Sequence, residues 1–127
     1  MSDPTNTAAL GTRFAEALAA KDAERLGAVL HPEIDFRGLT PNRFWEAHGR
    51  AAVLDIVLGS WFEPADELEE LIAVEVNSFA DREQLRFGFR GRNGDGPFLV
   101  EQQAYLADRD GCIGWMRVVC SGMRPPG

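Results

Sequence analysis

Histidine, cysteine and tyrosine are scarce in this chain of 127 residues, at two, two and one. His31 and His48 stand well apart and no Cys-x-x-Cys pair occurs, so the sequence offers no zinc ligand set and no metal is expected. Cys112 and Cys120 would sit on one extended strand, roughly 26 Å apart at ~3.3 Å per residue, which excludes a disulfide between them. Two reduced, partly buried thiols are the expectation. Basic clusters are missing as well. Thirteen Lys and Arg face 20 Asp and Glu, a net charge of −7 that opposes phosphate backbones and anionic lipids, so neither nucleic acid nor a membrane surface is an expected partner. Met1-Ser2-Asp3-Pro4 does not open a basic and then apolar leader, and no apolar run is long enough to span a bilayer, which points to a cytoplasmic protein. The glycines from Gly91 to Gly96 lie between strands instead of opening a helix, so they are no phosphate cradle and a cofactor-free protein is expected.

What is present is ordinary globular sequence, 45% hydrophobic and 26% charged, of a length that fits one domain over 1–127 with a loose tail at 123–127. Leu10, Phe14, Ala17 and Leu18 recur at helical spacing and predict a first helix ending near Lys21. Asp22 caps a second, with Leu26, Val29 and Leu30 as its stripe and Pro32 at its end. Ile34 to Gly38 reads as a short strand, and Arg50 to Phe62 as a third helix with apolar residues on nearly all sides. After Pro64 the period becomes two. Leu71 to Phe79, Gln84 to Arg90, Phe98 to Leu106 and Cys112 to Gly122 predict strands, the last two forming a hairpin at an Asp-Gly turn. Helices followed by an antiparallel meander make an α+β domain.

That order resembles the cone-shaped proteins of the nuclear transport factor 2 and SnoaL-like superfamily, over nearly the whole chain. The landmarks are Lys21-Asp22, Gly49-Arg50 and Asp110-Gly111-Cys112-Ile113. The resemblance implies three helices packed in a curved, mainly antiparallel sheet, with a pocket where the helices leave the cone unfilled. The layout is similar to ketosteroid isomerases, but the three functional positions of that family fall here on Phe14, Gln103 and Gly38. Phe14 donates no hydrogen bond, Gly38 accepts no proton, and Gln103 is a neutral amide, so that isomerisation is disfavoured. The Arg-x-Asp of the related limonene epoxide hydrolases and the paired histidines of scytalone dehydratases have no match either.

Parity counted from the same landmarks turns Glu101, Gln103 and Tyr105 inward on the first strand of the final hairpin, with Met116, Val118 and Cys120 inward on the second. Glu101 and Tyr105 then become acid-base candidates, with Gln103 holding a carbonyl or hydroxyl. The plainer alternative is that the apolar side is the core, because one slip in parity exchanges every residue. His48, beside Trp45 and Glu46 at the mouth, is a candidate general base; a helix-cap contact is its plainer role. Phe14, Phe36, Trp45, Met116 and Val118 are the candidate ligand-binding walls. Asp35 and Arg37 share one face and are expected to pair with each other or with neighbours as surface ion pairs. Trp115 and Val119, together with Val100 and Ala104, would leave an apolar patch on the convex side, so a homodimer is expected. The leading functional reading is a SnoaL-like domain binding a small apolar or aromatic oxygenated molecule, with cyclase, isomerase or hydrolase chemistry as an extension. The alternatives are a non-catalytic carrier or sensor, and a dimerisation module whose cone is filled.

Overall fold

In the computed structural model, which describes residues 9–126, three helical segments lie against one six-stranded sheet. The N-terminal reading and the last residue of the tail fall outside the described residues. Helix α1 (Leu10–Ala19) buries Leu10, Phe14, Ala17 and Leu18, the stripe its spacing predicts. It ends where Lys21 turns left-handed at φ 50° and the N–H groups of Lys21 and Asp22 return to Leu18 and Ala17. Asp22 then caps α2 (Ala23–Val29), its carboxylate accepting from the Arg25 N–H at 3.1 Å.

Strand β1 (Leu30–Thr40) begins directly after α2, earlier than Pro32 suggested, and turns at Pro41-Asn42 into β2 (Arg43–His48). The segment with Trp45, Glu46 and His48 is therefore an edge strand and not a loop. Helix α3 (Arg50–Leu54) passes into a π-helical stretch, Asp55–Trp61, closed by the Phe62 N–H on the Val57 carbonyl. Strands β3 (Glu67–Phe79), β4 (Arg82–Asn93), β5 (Gly96–Arg109) and β6 (Cys112–Cys120) complete the sheet. Its order is β2-β1-β6-β5-β4-β3, antiparallel except between β1 and β6, so it is mixed and open at both edges. The tail expected to be loose stays attached through Arg124, which exchanges two backbone hydrogen bonds with Leu99.

One bulge decides which side chains enter the cone. Arg109 pairs with Cys112 and Asp108 with Ile113, but Ala107 pairs with Trp115, which leaves Gly114 as an extra residue on β6. Beyond it, Met116, Val118 and Cys120 face inward as expected, opposite Leu106, Ala104 and Gln102. A hairpin without the bulge would have opposed them to Tyr105, Gln103 and Glu101. The apolar side of β5 is the core, and the inward placement of Glu101, Gln103 and Tyr105 is corrected to the outer face, as is the outward placement of Val100 and Ala104.

Most of the cone is filled. Phe14, Phe36, Phe62, Phe87 and Phe89 are fully buried with Leu18, Leu85 and Met116, each large side chain contributing about 1.5–3 kcal/mol by leaving water. Phe14, Phe36, Met116 and Val118, expected as pocket walls, are thus members of the packed core. Gly38 makes room for Trp61: a Cβ there would lie 2.6 Å from the indole ring. Phe36 and Trp45 pack on the same indole, with ring centres at 5.7 and 6.1 Å.

Candidate functional site: an unpartnered amide beside the mouth of the cone

Gln102 is 1% exposed, and neither its amide nitrogen nor its amide oxygen has a hydrogen-bond partner among the described residues. On the same face its neighbours are Val100 and Ala104 on β5, Cys120 across β6 and Phe87 across β4. None of these satisfies an amide, and leaving one dry costs about 1–3 kcal/mol.

The Trp61 indole N–H likewise has no acceptor among the described residues, although the residue is only 9% exposed. Trp61 ends the π-helical stretch, a geometry that is rare and recurs at functional sites. It forms one wall of a cavity of about 340 Å³ at the cone mouth, together with Trp45, Phe62, Val100, Cys120 and Met123. Val100 and Cys120, which flank Gln102 along its strand and across the hairpin, belong to that wall, while Gln102 itself does not line the cavity. Gly122 directs its N–H at the Cys120 sulfur, 3.5 Å away.

The rim is polar and internally bonded. Asp66, 7% exposed, accepts from the Glu63 N–H and from Asn93 Nδ2, both at 2.9 Å, and the Lys21 ammonium donates to the carbonyls of Glu63 and Asp66. Trp45 donates to Thr40 Oγ1 at 2.8 Å and carries the Arg43 guanidinium on its ring at 3.6 Å. Among the described residues no cluster of three His, Cys, Asp or Glu side chains is arranged for a metal ion.

The remaining predicted residues gather on the outer face, away from this cavity. Glu101 pairs with Arg86 at 2.7 Å, and this hydrogen bond, followed by the charges of Glu101 and Glu75, raises the guanidinium pKa above its usual value. Tyr105 accepts from Gln84 Nε2 at 3.0 Å and packs on Phe79. Gln103 and Tyr105 line a shallow groove of about 440 Å³ with Arg37, Leu39, Phe44 and Val119. His48 is exposed on the edge strand β2, opposite Asp35 in register, while Glu46 pairs with Arg37 at 3.4 Å. Asp35 bonds Arg117 at 3.2 Å, so Asp35 and Arg37 each pair with a neighbour, one of the two expected arrangements. Of the predicted set the structure brings Trp45 to the mouth cavity, keeps Phe14, Phe36, Met116 and Val118 in the core, and leaves His48, Glu101, Gln103 and Tyr105 outside. Sequence reasoning missed Gln102 and Trp61. The signal for Gln102 was the otherwise apolar set Phe98, Val100, Ala104 and Leu106, in which it is the single polar member.

No family model and no curated protein matches the chain. Solved structures do. A candidate isomerase from Rhodopseudomonas palustris superposes with a TM-score of 0.74 at 19% identity, covering 91% of this chain and 92% of that one. A protein from Catenulispora acidiphila with a ketosteroid isomerase-like fold, solved with trimethylamine, gives 0.70 at 15% identity over 88% and 85%. A LEH-like epoxide hydrolase from M. tuberculosis gives 0.68 at 13% identity over 92% and 84%. Such identities speak for architecture alone, and one architecture carries many reactions. The chain therefore has the ketosteroid isomerase-like, NTF2-like fold: three helical segments over a mixed, open six-stranded sheet.

Proposed function

We propose that this protein is a small-molecule-binding domain whose ligand enters at the cone mouth between Trp45, Trp61 and Phe62. It takes a neutral, largely apolar or aromatic molecule that offers one carbonyl or hydroxyl oxygen to Gln102 and the Trp61 indole N–H. The observation that supports this is the buried amide of Gln102, without a partner among the described residues and flanked by Val100 and Cys120 of the cavity wall. A ligand oxygen removes the cost of that burial, and the aromatic walls supply apolar contact. Carrier or sensor action is favoured over acid-base turnover. The buried ionisable groups Asp66 and His31 are committed, Asp66 to Asn93 and Glu63, His31 to Asp110 and the Glu33 N–H. The same-face strand neighbours of Gln102 include no carboxylate and no histidine, and the carboxylates of the cavity, Glu63 and Asp66, belong to its rim. The test is a thermal-shift screen with oxygenated polycyclic, aromatic and acyl compounds on wild type, Gln102→Leu and Trp61→Phe. Saturable stabilisation that weakens in both variants supports the reading; stabilisation unchanged in both refutes it.

A second proposal rests on a separate observation: Leu39, Phe44, Phe79, Tyr105 and Val119, the large apolar side chains that stand exposed, all lie on the outer face of the sheet. Ion pairs between Arg37 and Glu46, Arg86 and Glu101, and Arg117 and Asp35 neutralise the charge between them. We infer that two copies of the chain pair through this face, because a monomer seldom leaves such a surface in water. Sedimentation of wild type and Val119→Lys distinguishes the dimer from a monomer.

A further inference from the structure

Of the thirteen Lys and Arg side chains in the sequence, a single one is a lysine, Lys21. It stands where a glycine would fit the backbone better. Lys21 follows α1 at φ 50°, the left-handed position after a helix at which any Cβ is penalised. Its partly buried side chain crosses to the segment between the π-helical stretch and β3, where the ammonium donates to the carbonyls of both Glu63 and Asp66. Arg37, Arg86, Arg90 and Arg117 take carboxylates, whereas Lys21 forms no ion pair among the described residues. An ammonium with three donors serves two convergent carbonyls at once.

The turn held in this way is a rim of the mouth cavity. The Asp66 N–H returns to the Glu63 carbonyl and the Glu63 N–H to the Asp66 carboxylate, both at 2.9 Å. Asn93 Nδ2 binds the other carboxylate oxygen at 2.9 Å and reaches the Met123 sulfur at 3.7 Å. Glu63, Asp66, Asn93 and Met123 all line the cavity, and Lys21 does not. The Asn93 bond ties the turn to the sheet, and the Lys21 bonds tie it to the helices.

We propose that Lys21 is a positioning residue for the ligand: its ammonium fixes the rim turn 63–66 in the shape that walls the mouth cavity, although its side chain does not line that cavity; this rests on the binding reading above. Without the ammonium, two carbonyls lose a donor, and the turn keeps only its own bonds and the one from Asn93. The turn then samples open shapes, and apparent affinity falls in proportion to the closed fraction. The rim therefore accounts for a lysine at a position whose backbone favours glycine.

Lys21→Gly, Lys21→Met and Lys21→Arg test this in the full chain. Glycine suits the left-handed backbone, so it separates loss of the ammonium from damage to the turn between α1 and α2; arginine keeps a cation with N–H donors. Amide hydrogen exchange is measured beside calorimetric titration with cyclohexanone and acetophenone. The Glu63 and Asp66 amides should exchange roughly tenfold faster in Lys21→Gly and Lys21→Met while those of β4 and β5 are unchanged, and the dissociation constants should rise by about the same factor. Lys21→Arg should restore most of both. Rim exchange equal to wild type in the glycine and methionine variants, or faster exchange shared by the whole sheet, overturns the proposal. An opened rim with unchanged affinity also overturns it, and leaves the binding reading standing. A wild type that takes up neither ketone refutes the binding reading, and the exchange comparison then decides by itself whether Lys21 holds the rim.

Discussion

Replacing Gln102 with leucine should stabilise the free protein, against the usual direction for a buried substitution. Leucine has nearly the volume of glutamine, so no cavity is opened between Phe87 and Cys120, and two polar atoms without partners are removed. The relief is about 1–2 kcal/mol, toward the lower end of the desolvation cost of a buried amide. For a domain of this size that is a rise in Tm of about 3–10 °C. Gln102→Ala tests the same logic from the other side, because it removes the amide but leaves a void, and the loss of packing offsets the relief. The assay is calorimetry on protein refolded from denaturant, so that no compound carried from the cell occupies the cone. If Gln102→Leu lowers Tm by more than a few degrees, the amide makes bonds that stabilise the free protein, and the argument that it waits for a ligand fails. A stability gain together with lost ligand response would be the trade between stability and function expected where a site keeps an unsatisfied group.

Gly114→Ala should destabilise by about 1–3 kcal/mol in urea unfolding, since its Cβ would collide with the Arg109 Cβ and the bulge that orients β6 would have to shift. Asp66→Ala should cost about 1–3 kcal/mol by releasing the Glu63 N–H and the Asn93 amide, and should raise the exchange rate of the Glu63 amide proton by NMR. Asp22→Ala should cost about 1 kcal/mol through the lost cap of α2, with the loss read by urea unfolding. Val119→Lys should convert a dimer to a monomer in sedimentation while leaving the ligand response of the mouth cavity intact, because the two surfaces lie on opposite faces of the sheet.

The elements that follow from periodicity were legible: the Leu10, Phe14, Leu18 stripe of α1, the Asp22 cap, and the alternation of the last four strands. β2 was not. It is short and at a sheet edge, and the sequence from Arg43 to His48 mixes charged and aromatic residues without a clean period, because only its Trp45 and Ala47 side is covered. The π-helical winding of Asp55–Trp61 also leaves no local signature, although it sets where the Trp61 indole points. The facing of β5 was misread for a reason that lies in β6. Strand parity is transferred from one side of a hairpin to the other by pairing, and the bulge at Gly114 breaks that transfer. The glycine itself is visible in the sequence, but the clash with Arg109 that requires it is tertiary. Given the true facing, the inner row of β5 reads as four apolar residues and one amide, and the amide becomes the feature to explain.

The most direct test follows the side-chain amide of Gln102 and the indole N–H of Trp61 by ¹⁵N NMR, each assigned by its loss in Gln102→Leu and Trp61→Phe, while cyclohexanone and larger aromatic ketones are titrated in. The account predicts that both resonances move together and saturate at one dissociation constant, with the other side-chain amides, Gln103 among them, unmoved. Shifts at Gln103 and Tyr105 with Gln102 and Trp61 silent would place the ligand on the outer face and contradict it.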